Sequence, residues 1–223
     1  MLELISLHNV CKHYRTRAGV VRALDNVNLT VNEGEFVAVI GRSGSGKSTL
    51  MNILGCLDVP GSGCYRLAGQ DMSRCAESHR ALVRGKQIGF VVQGFHLIPS
   101  LTAQENVELP LLYRGLTKEE RRCRATESLT QVGLAQRTTH RPCELSGGQQ
   151  QRVAIARAIA AEPSLILADE PTGNLDTASG SEVMAILHEL HRQGKTVVLI
   201  THDPAIADEA GRRICIQDGR VVQ

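Results

Sequence analysis

The sequence predicts an α/β fold in which a mostly parallel sheet carries a phosphate site along one edge. Three observations predict it. Four short apolar runs read as strands, a glycine-rich loop sits between the first run and an amphipathic segment, and a long stretch of helical periodicity without strands separates the second run from the third.

The four runs are Phe36–Ile40, Ile88–Val92, Leu165–Ala168 and Val197–Thr201, and most of them contain no polar residue. Strands covered by helices on both faces look like this, because neither side of the pleat meets water. After the first run, Leu50, Ile53, Leu54 and Leu57 fall at i, i+3, i+4 and i+7, so a helix is expected to begin near Lys47 with that face on the sheet. From about Glu105 to Ile159 the apolar residues keep helical spacing, which predicts an inserted helical lobe. No repeat, low-complexity segment or linker interrupts the 223 residues, a length that suits one domain with an insertion.

Composition excludes more than it assigns. With 25 basic and 23 acidic residues the net charge is only +2, which gives no electrostatic case for a nucleic-acid partner. No apolar run reaches the roughly 18 residues that span a bilayer, and Met1 leads into a polar-interrupted strand pattern without a signal-peptide profile. The 7 cysteines are scattered and never spaced C-x-x-C, as expected of reduced thiols. His188 and His191 in "HELH" stand at i, i+3, not at the i, i+4 of a zinc-protease helix, and read as a solvated helix face.

"GRSGSGKS", Gly41 to Ser48, fits G-x-x-x-x-G-K-[ST]. Gly41, Gly44 and Gly46 let the backbone turn so that the N–H groups of Arg42, Ser43, Ser45 and their neighbours converge on phosphate oxygens at the positive end of the following helix. Lys47 can reach the β- and γ-phosphates, and the Ser48 hydroxyl suits Mg²⁺; Thr49 completes the first turn. "LILADEP" ends an apolar strand in two carboxylates. Asp169 can hold a Mg²⁺-bound water, and Glu170 can orient or deprotonate the water behind the γ-phosphate. Gln93 after "IGFVV" and His202 after "VVLIT" also stand at strand ends, where the amide oxygen suits Mg²⁺ and the imidazole can donate to a γ-phosphate oxygen.

A second anion site stands apart from the first. In "ELSGGQQQR", Ser146, Gly147 and Gly148 precede a run in which Val153, Ala156 and Ile159 form an apolar face, so this is a capped helix start with free N–H groups. One nucleotide is not readily enclosed by both elements of one chain, and a second copy solves the problem.

Gly41–Ser48, Gln93, "LSGGQ" (Leu145, Ser146, Gly147, Gly148, Gln149), "LILADEP", "TGNLD" and His202 together resemble, in order and spacing and over nearly the whole chain, the ATPase subunit of an ABC transporter. The resemblance implies a P-loop NTPase core with a mostly parallel sheet, an N-terminal antiparallel β portion and an inserted α-helical signature lobe. Its expected boundaries are a RecA-like core at about 1–92 and 160–223 and a lobe at about 93–159, forming one ABC-type domain. It implies a head-to-tail homodimer with each ATP and its Mg²⁺ between the glycine loop of one copy and the signature of the other. It also implies Tyr14 stacking on adenine; Ser48, Gln93 and Asp169 around the metal; Asn174, Leu175 and Asp176 linking the two sites; and the segment after Gln93 facing a membrane partner.

"TLMNILGCLD", "AGQDM" and "ADEPTGNLD" are most similar to the macrolide-export and lipoprotein-release branch. Because the sequence ends about twenty residues after His202, the membrane permease is expected on a separate polypeptide, with a periplasmic or extracellular adaptor beyond it. The ATPase is then expected at the inner face of the cell (inner) membrane. The chain departs from the family in carrying Val92 where an aromatic often precedes the glutamine, with Gly94 after it. An ATP-driven mechanical switch on a membrane partner, without transport, would use the same chemistry. A chromosome-handling ATPase would need long heptad coiled coils that this sequence lacks.

Overall fold

The computed structural model describes residues 2–16 and 19–222, so Met1, on which the reading of the chain's start rested, lies outside the described residues. The chain divides into two compact units, Met1–Arg84 with Thr196–Gln223, and Gly85–Lys195.

The first unit opens with two long strands, β1 (Glu3–Thr16) and β2 (Gly19–Asn32), paired antiparallel. Leu24, Val27, Leu29 and Val31 of β2 are buried, and from Val27 onward they alternate with residues turned outward. That period of two is what a sheet with one covered face requires. The register shifts twice near Asn9 and Asn26, both left-handed at φ 50 and 54, and the Asn9 N–H donates to Asn28 Oδ1 at 2.9 Å. Asparagine tolerates that conformation better than other non-glycine residues.

The buried strand β3 (Phe36–Ile40) follows, then helix α1 (Lys47–Leu54). Strands β4 (Ser62–Leu67) and β5 (Gln70–Asp71) extend the antiparallel sheet to the order β2-β1-β4-β5. The antiparallel portion that the family resemblance implied is therefore present. Helix α2 (Glu77–Gln87) leads on toward the second unit.

Helix α1 begins at Lys47 as expected, but Leu57 does not share its apolar face. The helix ends at Leu54, and Leu57 is 48% exposed. The cause is a Schellman closure: Cys56 turns left-handed at φ 54 while its N–H reaches Ile53 O at 3.0 Å, and the Leu57 N–H reaches Asn52 O at 2.8 Å. Buried Tyr65 fastens the same end by donating its hydroxyl to Leu54 O at 2.7 Å. Burial there pushes the Cys56 thiol up to about 11, so it stays protonated.

The second unit contains β6 (Ile88–Val92), α3 (Ala103–Leu112), α4 (Lys118–Gln131), short 3-10 turns at Ala135–Arg137 and Pro142–Glu144, α5 (Gly147–Ile159), β7 (Leu165–Asp169) and α6 (Thr177–Arg192). Among residues 105–159 there is no strand, as expected. Three helices start in reciprocal capping boxes: Thr102 with Glu105, Thr117 with Glu120, and Ser146 with Gln149. Strands β6 and β7 are parallel, and their register sets Val92 opposite Asp169. His188 and His191 are half-buried on α6.

The chain returns to the first unit as β8 (Thr196–Ile200), α7 (Pro204–Asp208), β9 (Arg212–Gln217) and β10 (Arg220–Val222). Strand β3 lies parallel to both β8 and β9, and β10 closes antiparallel on β9. That last hairpin turns through Asp218-Gly219, both at positive φ, a turn for which Asp-Gly is the favoured pair.

Candidate nucleotide site

In the first unit, β3 delivers the chain to the glycine loop and α1 receives it at Lys47. Glycine is required at both ends of the loop. A Cβ on Gly41 would lie 2.3 Å from Ile216 O, and one on Gly46 2.4 Å from Ala23 O, where the backbone also stands at φ 110. The hairpin turn braces the loop. Gly219 donates from its N–H to Ser45 O at 2.9 Å and accepts from the Asp25 N–H at 2.8 Å, and Arg220 is paired with Asp25.

Lys47 Nζ folds back over the loop to Gly41 O at 2.6 Å and Arg42 O at 3.0 Å. No acidic residue occupies the first turn of α1, so the amide groups at its start face no competing carboxylate of that helix. Ser48 is exposed there and Thr49 half-buried. Gly41, Arg42, Ser43, Gly44 and Ser45 line a cavity of about 830 Å³ together with His202. The structure thus brings the sequence-predicted loop and histidine around one opening.

Tyr14 lies on β1 with its ring at the surface. Lys12 Nζ stands 5.4 Å from the ring centroid and donates to Asp58 Oδ1 at 2.7 Å, while the Tyr14 hydroxyl donates to Asp58 Oδ2 at 3.1 Å. Burial works to raise the Asp58 carboxyl, but the bonds from Lys12, the Val59 N–H and Tyr14 outweigh it and hold the group below the usual carboxylate range.

In the second unit, Gln93 follows β6, and Asp169 ends the adjacent β7. The β6–β7 register therefore sets the three polar residues Gln93, Asp169 and Glu170 at one sheet edge. Glu170 adopts the left-handed conformation at φ 46, and the turn it starts closes with the Gly173 N–H on Glu170 O at 3.0 Å. A non-glycine residue holds such a conformation only where its surroundings enforce it. Gln93 and Asn174 bond reciprocally, Gln93 Nε2 to Asn174 Oδ1 at 3.1 Å and Asn174 Nδ2 to Gln93 O at 3.0 Å. With Nε2 so engaged, Gln93 Oε1 is the end of the amide left to accept.

The "LSGGQ" segment forms a helix N-terminus. Leu145 is buried, Ser146 caps α5, and its Oγ accepts from the Gln149 N–H at 3.3 Å while Gln149 Oε1 accepts from the Ser146 N–H at 3.0 Å. The Ser146 hydroxyl is exposed and keeps its own proton to donate, and the N–H groups of Gly147 and Gly148 have no partner within the helix. Leu175 is half-buried, and Asp176 caps α6 by accepting from the Ser179 N–H at 2.8 Å, a bond that holds its carboxyl below 3.8.

Residues 24–173 match the family described as ABC transporter. The chain belongs to the ABC transporter family. This ABC ATPase domain is 52% identical over 219 residues to the uncharacterized ABC transporter ATP-binding protein YvrO of Bacillus subtilis, a match that covers 98% of this chain and 96% of that protein. It is also 52% identical to the macrolide export ATP-binding/permease protein MacB 1/2 of Paracoccus denitrificans, covering 98% of this chain but 33% of that protein, so it spans about a third of the MacB relative. Among solved structures it superposes with a TM-score of 0.90 and 47% identity on the ATP-binding cassette MJ0796, a dimer in a post-hydrolysis state with ADP and Pi, over 98% of this chain and 97% of that one. Among the described residues no helix is long and apolar enough to cross a membrane.

Three features of this ABC ATPase escaped the sequence reading. The Lys12–Asp58 support beneath Tyr14 joins residues 46 apart and left no local signal. The Asp218-Gly219 hairpin was legible as a turn dipeptide between short apolar runs. Gln151 lies four residues before Ile155, on a buried face of α5, where a polar residue is itself a signal.

Proposed function

We propose that two copies of this ABC ATPase close head to tail around two ATP molecules and that the cycle drives a membrane permease. The observation that carries this reading is the N-terminus of α5, capped by the exposed Ser146, a second helix start suited to an anion in a chain that already has one at α1. In this reading the core at about 1–92 and 160–223 and the lobe at about 93–159 act as one ABC-type domain. The loop residues from Gly41 to Thr49 cradle the phosphates, Tyr14 stacks on adenine, and Ser146 to Gln149 receive the γ-phosphate of the partner copy's nucleotide. Asn174, Leu175 and Asp176 carry the state of one site to the other.

Hydrolysis falls to Glu170, which takes the proton of the attacking water, while His202 and Lys47 donate to the γ-phosphate oxygens. In this reading the Ser48 hydroxyl, Gln93 Oε1 and the Asp169 carboxylate would hold Mg²⁺, since each supplies the hard oxygen that ion takes, and the Gln93–Asn174 bond uses the amide nitrogen and leaves Gln93 Oε1 to accept. When bound, Mg²⁺ neutralises charge shared by the β- and γ-oxygens.

The likeness to MacB, a macrolide export ATP-binding/permease protein, supports a role in powering export through a membrane permease; a drug, peptide or lipoprotein as cargo, an adaptor beyond the permease and a place at the inner face of the cell membrane belong to the same reading. Light scattering of Glu170→Gln with and without ATP and Mg²⁺ tests the core of this reading. A dimer that forms only with ATP is expected, together with loss of turnover; full turnover in that variant refutes the role of Glu170.

A further inference from the structure

The helix that begins with the signature carries a residue that reaches both strand ends of the second unit. Gln151, five residues beyond the Ser146 cap, is fully buried. Its Nε2 donates to Pro171 O at 2.8 Å and also lies 3.4 Å from Val92 O. Val92 directly precedes Gln93, and Pro171 directly follows Glu170. We propose that Gln151 is a positioning residue for hydrolysis, tying the signature helix to the backbone on either side of Gln93 and Glu170; this rests on the roles given to those two residues above.

Two further observations support it. Glu170 is held left-handed, so the direction of its carboxylate depends on how firmly the Glu170–Gly173 turn is pinned, and Pro171 O is the carbonyl of that turn that Gln151 grips. The other half of the amide, Oε1, is buried and has no hydrogen-bond partner among the described residues. A core side chain chosen for packing alone would be apolar here, because a half-satisfied buried amide is worse than a hydrocarbon of the same size. What the glutamine adds is the pair of donations to Val92 and Pro171.

The chemistry of the acceptors sets the test. Gln151→Leu removes the donor and leaves both carbonyls in place. It should lower kcat about tenfold or more, with affinity for a fluorescent ATP analogue within about twofold of the parent, because the loss falls on the transition state. Gln151→Glu sets a carboxyl against two carbonyl oxygens. Ionised, it repels them; protonated, it donates one O–H. Burial favours the protonated form, so the ratio of its kcat to the parent's should rise as pH falls from 9 to 6.5, while the ratio for the leucine variant stays flat.

A leucine variant with kcat within twofold of the parent overturns the proposal. So does one that loses ATP affinity in step with kcat, or a glutamate variant with no pH-dependent recovery. Should the leucine variant not fold, the pH response of the glutamate variant decides alone. Glu170→Gln measured alongside separates two failures. If it is inactive while Gln151→Leu is unimpaired, only the positioning role falls; if it turns over fully, the assignment of Glu170 falls and this inference with it.

Discussion

Adding one methyl group at Gly148 should disturb this protein for a reason internal to the chain. A Cβ there would lie 2.7 Å from both Cβ and Oγ of Ser179, at the start of α6. Carbon atoms in contact prefer roughly 3.5–4.0 Å, so one element must move by about 1 Å. Ser179 has little freedom to yield, since its N–H and its Oγ are both bonded to the Asp176 carboxylate, at 2.8 and 3.1 Å. Overpacking of this kind costs about 1–3 kcal/mol, and the better helix propensity of alanine returns about 0.5–1 kcal/mol. A net loss of about 1–2 kcal/mol is expected for Gly148→Ala, read as a lower urea midpoint at constant m-value. At Gly147 an added Cβ would meet Leu175 at 3.6 Å and Phe95 at 3.8 Å, which is ordinary contact, so Gly147→Ala should not destabilise and should gain up to about 1 kcal/mol from helix propensity.

The decisive comparison is a double-mutant cycle. Ser179→Gly deletes the two atoms that clash, so combined with Gly148→Ala it should recover the overpacking cost of about 1–3 kcal/mol relative to the sum of the single changes. Strict additivity, or a Gly148→Ala protein as stable as the parent, refutes the steric argument.

Two other expectations rest on hydrogen bonds seen in the fold. Arg157 of α5 donates to His96 O at 2.6 Å and Phe95 O at 2.8 Å, holding two consecutive left-handed residues at φ 48 and 55. Arg157→Met should cost about 2–3 kcal/mol and expose the Phe95–His96 bond to chymotrypsin; unchanged cleavage there would show that the segment holds itself. Because the Asp58 carboxyl is held below 3.8, its contribution to stability is complete above that pH and is lost as the pH falls through the folded value. Asp58→Asn should therefore flatten the acid limb of the stability profile below about pH 4 and leave its alkaline side unchanged, as measured by urea titration at a series of pH values.

What the sequence by itself determined is local. The four apolar runs became strands β3, β6, β7 and β8 within a residue at either end, since unbroken burial is written into consecutive residues. The loop between β3 and α1, and the Ser146 cap with its Gln149 partner, were legible because glycine geometry and capping act over three to five residues. Tertiary structure decided what depends on distant partners. It stopped α1 before Leu57, through a left-handed Cys56 and the Tyr65 hydroxyl eleven residues beyond Leu54. It also set Glu170 left-handed and placed Gln151 against Pro171 and Val92, 20 and 59 residues away. Those bonds form only when separate elements are brought side by side, so the spacing of residues names candidates for catalysis, while contacts such as those of Gln151 with Pro171 O and Val92 O exist only in the folded chain.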